Sequence, residues 1–112
     1  MIRKGEEKDK LRYNLISFEG ITQVAQVATF GAFKHGENDW RVGNDDHGPL
    51  KASQALDALL RHLTHLLEGK TLVDIDSGLL ITGHIAWNAL ALCEILTQRP
   101  ELNDLKEVLC VK

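Results

Sequence analysis

Residues 76–98 read DSGLLITGHIAWNALALCEILTQ. The spacing predicts a helix from about Asp76-Ser77 to Gln98, closed by Pro100. At 100° per residue Leu79, Leu80, Ile81, Ile85, Trp87, Leu90, Leu92, Ile95 and Leu96 point in nearly every direction. A helix apolar all round must be buried all round. Thr82, His84, Asn88 and Glu94 interrupt the run, which excludes a lipid-exposed span and leaves burial within protein. A chain of 112 residues with few helices has too little of its own to surround such a rod. Burial against another subunit is therefore expected.

The two segments before it supply its neighbours. A helix from about Leu50 to Glu68 ends at Gly69, with Leu56, Leu59, Leu60, Leu63, Leu66 and Leu67 on one broad arc. Asp57, Arg61, Thr64 and Glu68 share the opposite stripe. Only Gly69 to Ile75 separate this helix from the next, so the two should pack antiparallel. Upstream, Ser17 is placed to cap a helix with Glu19 in its first turn and Ile21, Val24, Ala25, Ala28 and Ala32 at helical spacing. Lys34 and His35 fall in its last turn and Gly36 stops it. Residues 36–49 read as a loop rich in Gly, Asn and Asp with Trp40 in its middle, and loops of that length are often functional. The tail from Pro100 reads as a short helix, or as a strand at Val108-Leu109-Cys110-Val111. The expected fold is all-α, an antiparallel helical bundle completed by oligomerisation. It forms a single domain over residues 1–112 with a charged arm at 1–14.

Composition limits the function. Thirteen basic against sixteen acidic residues give a net charge of −3, which argues against a nucleic-acid coat or a membrane-surface binder. An anionic ligand would need metal ions or a few locally concentrated cations. No apolar leader follows Met1, and two cysteines, Cys93 and Cys110, make neither a disulfide framework nor a CxxC site. A cytoplasmic protein with reduced thiols is expected.

Within the expected hairpin, His84 and Asn88 share a face of an otherwise apolar helix. Burying them unpaired would cost about 1–3 kcal/mol each. The Asp57/Arg61 stripe, a metal or a ligand must satisfy them. Asp57 and Arg61 are spaced as a surface ion pair, and His62 with His65 lacks the companion Cys/His pair of a zinc site. Carboxylates converging from Glu68, Asp74 and Asp76 suit Mg2+ or Mn2+. Trp40 reads as a packing anchor or a stacking platform.

Several segments, in order, resemble a known family. Thr29-Phe30-Gly31-Ala32-Phe33-Lys34-His35-Gly36 with Asn38-Asp39-Trp40 is similar to its "fGA-x-KyG…NW" signature. Ala58-Leu59-Leu60-Arg61-His62-Leu63, Glu68-Gly69 and Asp74-Ile75-Asp76-Ser77-Gly78 resemble "aLxRHl…eG…DxESG". His84-Ile85-Ala86-Trp87-Asn88-Ala89-Leu90 resembles "HaaxNaL", and Lys10-Leu11-Arg12 echoes "KPR". The family is the phage MazG-like dATP/dGTP diphosphohydrolases, within the all-α nucleoside triphosphate pyrophosphatases. The resemblance implies hydrolysis of a purine deoxynucleoside triphosphate (dGTP or dATP) to the monophosphate and pyrophosphate, with Mg2+ or Mn2+, by a homodimer or homotetramer. In phage such enzymes serve nucleotide metabolism, and a phage-encoded member would work in the host cytoplasm.

The family pattern has exceptions here: Ile81 stands where it often has His, Asp76 where it has Glu, and Leu11 where it has Pro. The E-E-x-x-E and E-x-x-D helices of classical superfamily members are absent, and this helix offers His84 and Asn88 instead. With those departures, the resemblance implies Glu19, Asp57, Glu68, Asp76 and His84 as metal ligands, with Asp57, Glu68 and His84 in the chemistry. It implies Lys10, Lys34 and Arg61 at the phosphates, and Asn14, Trp40 and Asn88 elsewhere on the substrate. The rival reading is a non-catalytic helical dimerisation or adaptor module, in which these residues are interface polar pairs.

Overall fold

The computed structural model describes residues 10–69 and 71–106. Among them it contains α1 (Phe18–His35), the single-turn α2 (Asp39–Val42), α3 (Ala52–Glu68) and α4 (Ile81–Gln98). Short 3-10 turns at Tyr13–Leu15 and Pro100–Leu102 flank them. The described chain is all-helical, as the periodicity requires, apart from one isolated bridge between Val73 and Leu80. No described helix is long and apolar enough to cross a membrane.

α4 is the central rod. α3 runs antiparallel to it: His62 meets His84 near the connecting turn, while Ser53 at the other end of α3 bonds Asp104 beyond the end of α4. α1 is antiparallel to α4 as well. Its Gln23 and Val27 lie over Gly83, and Phe30 sets its ring edge-on to His84 at 6.5 Å. Gly83 makes that approach, since a Cβ there would lie 3.3 Å from both the Gln23 carbonyl and Val27 Cγ2. α2 closes a third side: Trp40 packs edge-to-face on Trp87, and Arg41 donates two hydrogen bonds to the Glu94 carboxylate at 2.7 and 3.0 Å. Ile81 and Ile95 are the largest fully buried side chains, with Val27, Ala52, Ala55 and Ala91 around them.

The ends of the helices show where tertiary bonds override local signals. α1 begins and stops as its residues dictate, with Ser17 Oγ accepting from the Gly20 N–H at 2.9 Å and Gly36 closing it. α3 starts at Ala52, not Leu50, because the Leu50 N–H donates to the Trp40 carbonyl and holds the chain extended. Its first turn is capped from a distance, Asp104 accepting from the Ser53 N–H and hydroxyl at 2.8 and 2.6 Å. α4 starts at Ile81, five residues after the expected Asp76. The chain from Leu72 to Ile81 turns back on itself through Asp74 N–H to Leu79 O and Ile81 N–H to Leu72 O. Nor are residues 36–49 structureless: they contain α2 and a clasp in which Asn44 Oδ1 accepts from the Asp46 and His47 N–H groups. In that clasp Gly43 has φ +77 and no room for a Cβ, which would lie 2.6 Å from the His47 carbonyl. The segments 1–9 and 107–112, including Cys110 and the strand alternative for the tail, lie outside the described residues.

Two substitutions test this packing. Gly83→Val should destabilise the chain by about 1–3 kcal/mol, because α1 must move off α4 to admit the side chain. Gly31→Ala, in mid-helix with nothing within 4 Å of the added carbon, should stabilise it by about 0.5–1 kcal/mol. Urea unfolding of both variants checks the signs.

Candidate functional site

The residues singled out by sequence separate into two places. The first lies where the C-terminal end of α1, the Asp74–Gly78 turn and the first turns of α4 meet. Lys34 Nζ donates to Asp76 Oδ2 at 2.7 Å, joining residues forty-two positions apart. One helical turn earlier in α1, Phe30 places its ring 5.6 Å from the same ammonium and edge-on to His84. His84 is buried, with Nε2 2.7 Å from Ser77 Oγ and 3.7 Å from Asp74 Oδ2. The imidazole tautomer decides which partner donates in the Ser77–His84 bond. Ser77 is itself fixed, its N–H donating to Asp74 Oδ2 at 2.9 Å and its Oγ accepting from the Leu79 N–H at 3.1 Å. His62 from α3 stacks on His84, ring centroids 4.7 Å apart, and its Nδ1 is buried without a hydrogen-bond partner.

The electrostatics follow from this packing. Burial lowers the His62 pKa from its ordinary 6.5, and the neighbouring His84 lowers it further. Burial alone would raise the Asp74 carboxyl. The Ser77 amide and hydroxyl, with His84 and His62 close by, outweigh that and hold it below the usual carboxylate range. Asp74 is thus a fixed anion behind the imidazole, while the more exposed Asp76 faces the Lys34 ammonium. The cluster offers an oriented imidazole, two carboxylates and a cation: groups able to take a proton, hold a divalent cation and contact a phosphate.

The second place is an open cleft of about 900 Å3 between α2 and the first half of α3. His35, Trp40, Lys51, Asp57 and Arg61 line it, and its volume lies within the range of small-molecule sites. Asp57 and Arg61 are bonded to each other one turn apart on α3, the pairing their spacing predicts. Trp40 borders the cleft, but its ring is engaged by Trp87 at 5.4 Å and by the Arg41 guanidinium at 4.4 Å.

The remaining candidates stand apart. Asn88 is buried and donates from Nδ2 to the His84 carbonyl, so its own helix satisfies it. Likewise Ser77, not the Asp57/Arg61 stripe, satisfies His84. Glu19 accepts from Gln23 Nε2 at 2.8 Å, fifteen residues and about 22 Å along α1 from Lys34. Lys10 and Asn14 precede α1 and are exposed, Asn14 within the first 3-10 turn. Glu68 is the last residue of α3, exposed beside Gly69. Among the described residues no three His, Cys, Asp or Glu side chains converge on a point that would hold a metal. The spacing argument missed the contribution of Ser77, the stacking of His62 on His84, and the place of Phe30 between Lys34 and His84. The Asp74-x-x-Ser77 spacing, an Asp three residues before the amide it accepts from, was the available signal.

Because the folded pKa of His62 lies below 6.5, its contribution to stability is complete above that pH. It is lost as the pH falls through the folded value and the unfolded chain binds the proton more readily. Unfolding free energy should therefore be lower about one unit below pH 6.5 than one unit above it. In His62→Phe, which keeps a ring on His84 and removes the titration, that difference should shrink. Denaturant titrations at the two pH values measure it.

A family model described as dATP/dGTP diphosphohydrolase, N-terminal, matches residues 3–105. No curated protein and no solved structure matches the chain. The matched span contains α1 to α4 of the described residues, both candidate sites and the motifs that carry the resemblance. The chain belongs to the family of dATP/dGTP diphosphohydrolase N-terminal domains.

Proposed function

We propose that this chain hydrolyses dATP or dGTP to the deoxynucleoside monophosphate and pyrophosphate with the help of Mg2+ or Mn2+. The observation that carries the reading is the Lys34–Asp76 bridge set against the Asp74–Ser77–His84 cluster, in a chain of this family. A lone lysine ammonium is a point charge suited to a phosphate oxygen.

The donor set bears on the metal. Mg2+ is commonly held by one or two carboxylates together with substrate phosphates, not by an all-protein cage. Asp76 and Asp74, two residues apart on one turn, fit that pattern, and Asp76 is open to solvent on its far side. Asp76 would hold the cation with Asp74 behind it. When bound, the cation supplies charge neutralisation on the phosphates and polarises them towards attack. Lys34 exchanges its carboxylate partner for a phosphate oxygen of the leaving pyrophosphate. Water adds to the α-phosphorus as the bond to the bridging oxygen breaks, and the proton released goes to His84, whose ring Ser77 keeps aimed. In the neighbouring cleft, Lys51 and Arg61 are the cations within reach of the rest of the nucleotide, and Asp57 orients Arg61.

Incubation with each deoxynucleoside triphosphate and Mn2+, followed by chromatography, should yield monophosphate and pyrophosphate from dATP or dGTP. Turnover of none of them would refute the enzyme and leave the adaptor reading. Diphosphate with orthophosphate would refute attack at the α-phosphorus. His84→Ala and Asp76→Asn should each lower kcat by about 100-fold or more, and Lys34→Ala should mainly raise KM. Activity that survives complete chelation would remove the cation from the mechanism.

A further inference from the structure

The cleft between α2 and α3 adjoins the first cluster, because His35 and Arg61 on its wall are the chain neighbours of Lys34 and His62. A nucleotide whose phosphates meet Lys34 has this cleft within reach for its other end. The lining suits a flat ring. Pro49, Leu50, Ala58 and Leu102 supply apolar surface, and a row of polar groups runs along α3.

That row is Gln54, Asp57 and Arg61, spaced three and four residues apart on one face of α3 and all on the cleft wall. Each has a fixed hydrogen-bonding sense. Gln54 Oε1 accepts from the Lys51 N–H at 2.9 Å, which leaves Nε2, a donor, for a ligand. Asp57 can only accept: Oδ2 takes a hydrogen bond from Arg61 Nη1, and Oδ1 makes none among the described residues. Arg61 can only donate, and its other N–H groups remain. Along the helix the wall therefore offers a donor, an acceptor and a donor. A carboxylate in the middle of the row repels a phosphate, so the part of a nucleotide that fits here is the uncharged base.

We infer, resting on the proposed hydrolase reading, that this cleft holds the purine and that Asp57 selects adenine over guanine by accepting from the six-amino group. Around that position adenine presents an acceptor at N1, a donor at the amine and an acceptor at N7, the complement of the wall. Gln54 and Arg61 donate to the two ring nitrogens while Asp57 takes the amine between them. Guanine carries an oxygen at the same position, with acceptors at O6 and N7 and a donor at N1. In the same pose its O6 would face the Asp57 carboxylate, two acceptors with no proton between them. Cytosine offers an amine and one ring acceptor but nothing for the third group, and thymine again sets an oxygen against Asp57. The ion pair on α3 thus acquires a role in specificity, Arg61 holding the carboxylate in place and itself meeting the ring.

Equilibrium binding of deoxynucleoside monophosphates to the full chain tests the pocket without any turnover. The native protein should bind dAMP at least about tenfold more tightly than dGMP. dIMP, which exchanges the six-amino group of dAMP for oxygen, should bind as weakly as dGMP, and that comparison needs no variant. Asp57→Asn, whose amide nitrogen can turn to a carbonyl oxygen, should bring the three ligands within about threefold of one another. Circular dichroism identifies a variant that has lost its fold. Native binding of dGMP or dIMP as tight as that of dAMP, a preference that survives Asp57→Asn in a folded variant, or no binding of any of the three at about 1 mM would each overturn the inference. The same measurements separate the pocket from the reaction. If no triphosphate is hydrolysed and dAMP is still preferred, the pocket stands and the hydrolase reading falls. If dGTP is hydrolysed in preference to dATP, the hydrolase reading stands and the pocket falls.

Discussion

The helix that forms the centre of this molecule has to bury an imidazole and an amide, and most of the structure follows from how it does so. α4 carries His84 and Asn88 on the same face as Ile81, Ala91 and Ile95. Asn88 is satisfied without outside help, by the carbonyl of His84 one turn back. His84 has no such recourse, and its partner comes from the connection before the helix. That requirement explains why the chain between α3 and α4 folds into a tight turn in place of extending the helix. Asp74 fixes Ser77, Ser77 fixes His84, and the stacked ring of His62 completes the enclosure. The same turn carries Asp76 to Lys34 and so ties the end of α1 to the pair of antiparallel helices.

A second set of bonds holds the opposite half. Arg41 reaches from the short α2 to Glu94 with two parallel hydrogen bonds, and its own carbonyl accepts from Arg99 at 3.0 Å. The guanidinium holds the Glu94 carboxyl below its usual range. Because the forked geometry of arginine makes this contact bidentate, lysine at position 41 would not replace it. Trp40, immediately before, is pressed against Trp87 by the same anchor, which makes it a packing residue at the edge of the cleft.

The helical fold was legible in the sequence because its signals are local. Ser17, the Lys34-His35-Gly36 stop and Gly69, whose left-handed φ of +70 ends α3, need no knowledge of the rest of the chain. The starts of α3 and α4 were not legible, since a distant carbonyl at Trp40 and a return strand-like contact at Leu72 decide them. The same division runs through the site. Lys34, Asp76 and His84 stand out by residue type, and the Asp57–Arg61 pair by spacing. That Lys34 meets Asp76, or that Glu19 sits at the far end of α1 from both, depends on how α1 lies across α4, and helical periodicity carries no such information.

The Asn44 clasp has a thermodynamic consequence for the wall of the cleft. Loops that order only when a ligand arrives subtract their lost conformational freedom from the affinity. Between Gly43 and Leu50 that freedom is already gone: Asn44 closes the turn, His47 Nδ1 bonds the Gly48 carbonyl, and the Leu50 N–H fastens the exit to Trp40. A molecule entering beside α3 meets a preorganised surface, and the entropy of shaping it is charged to folding, not to binding.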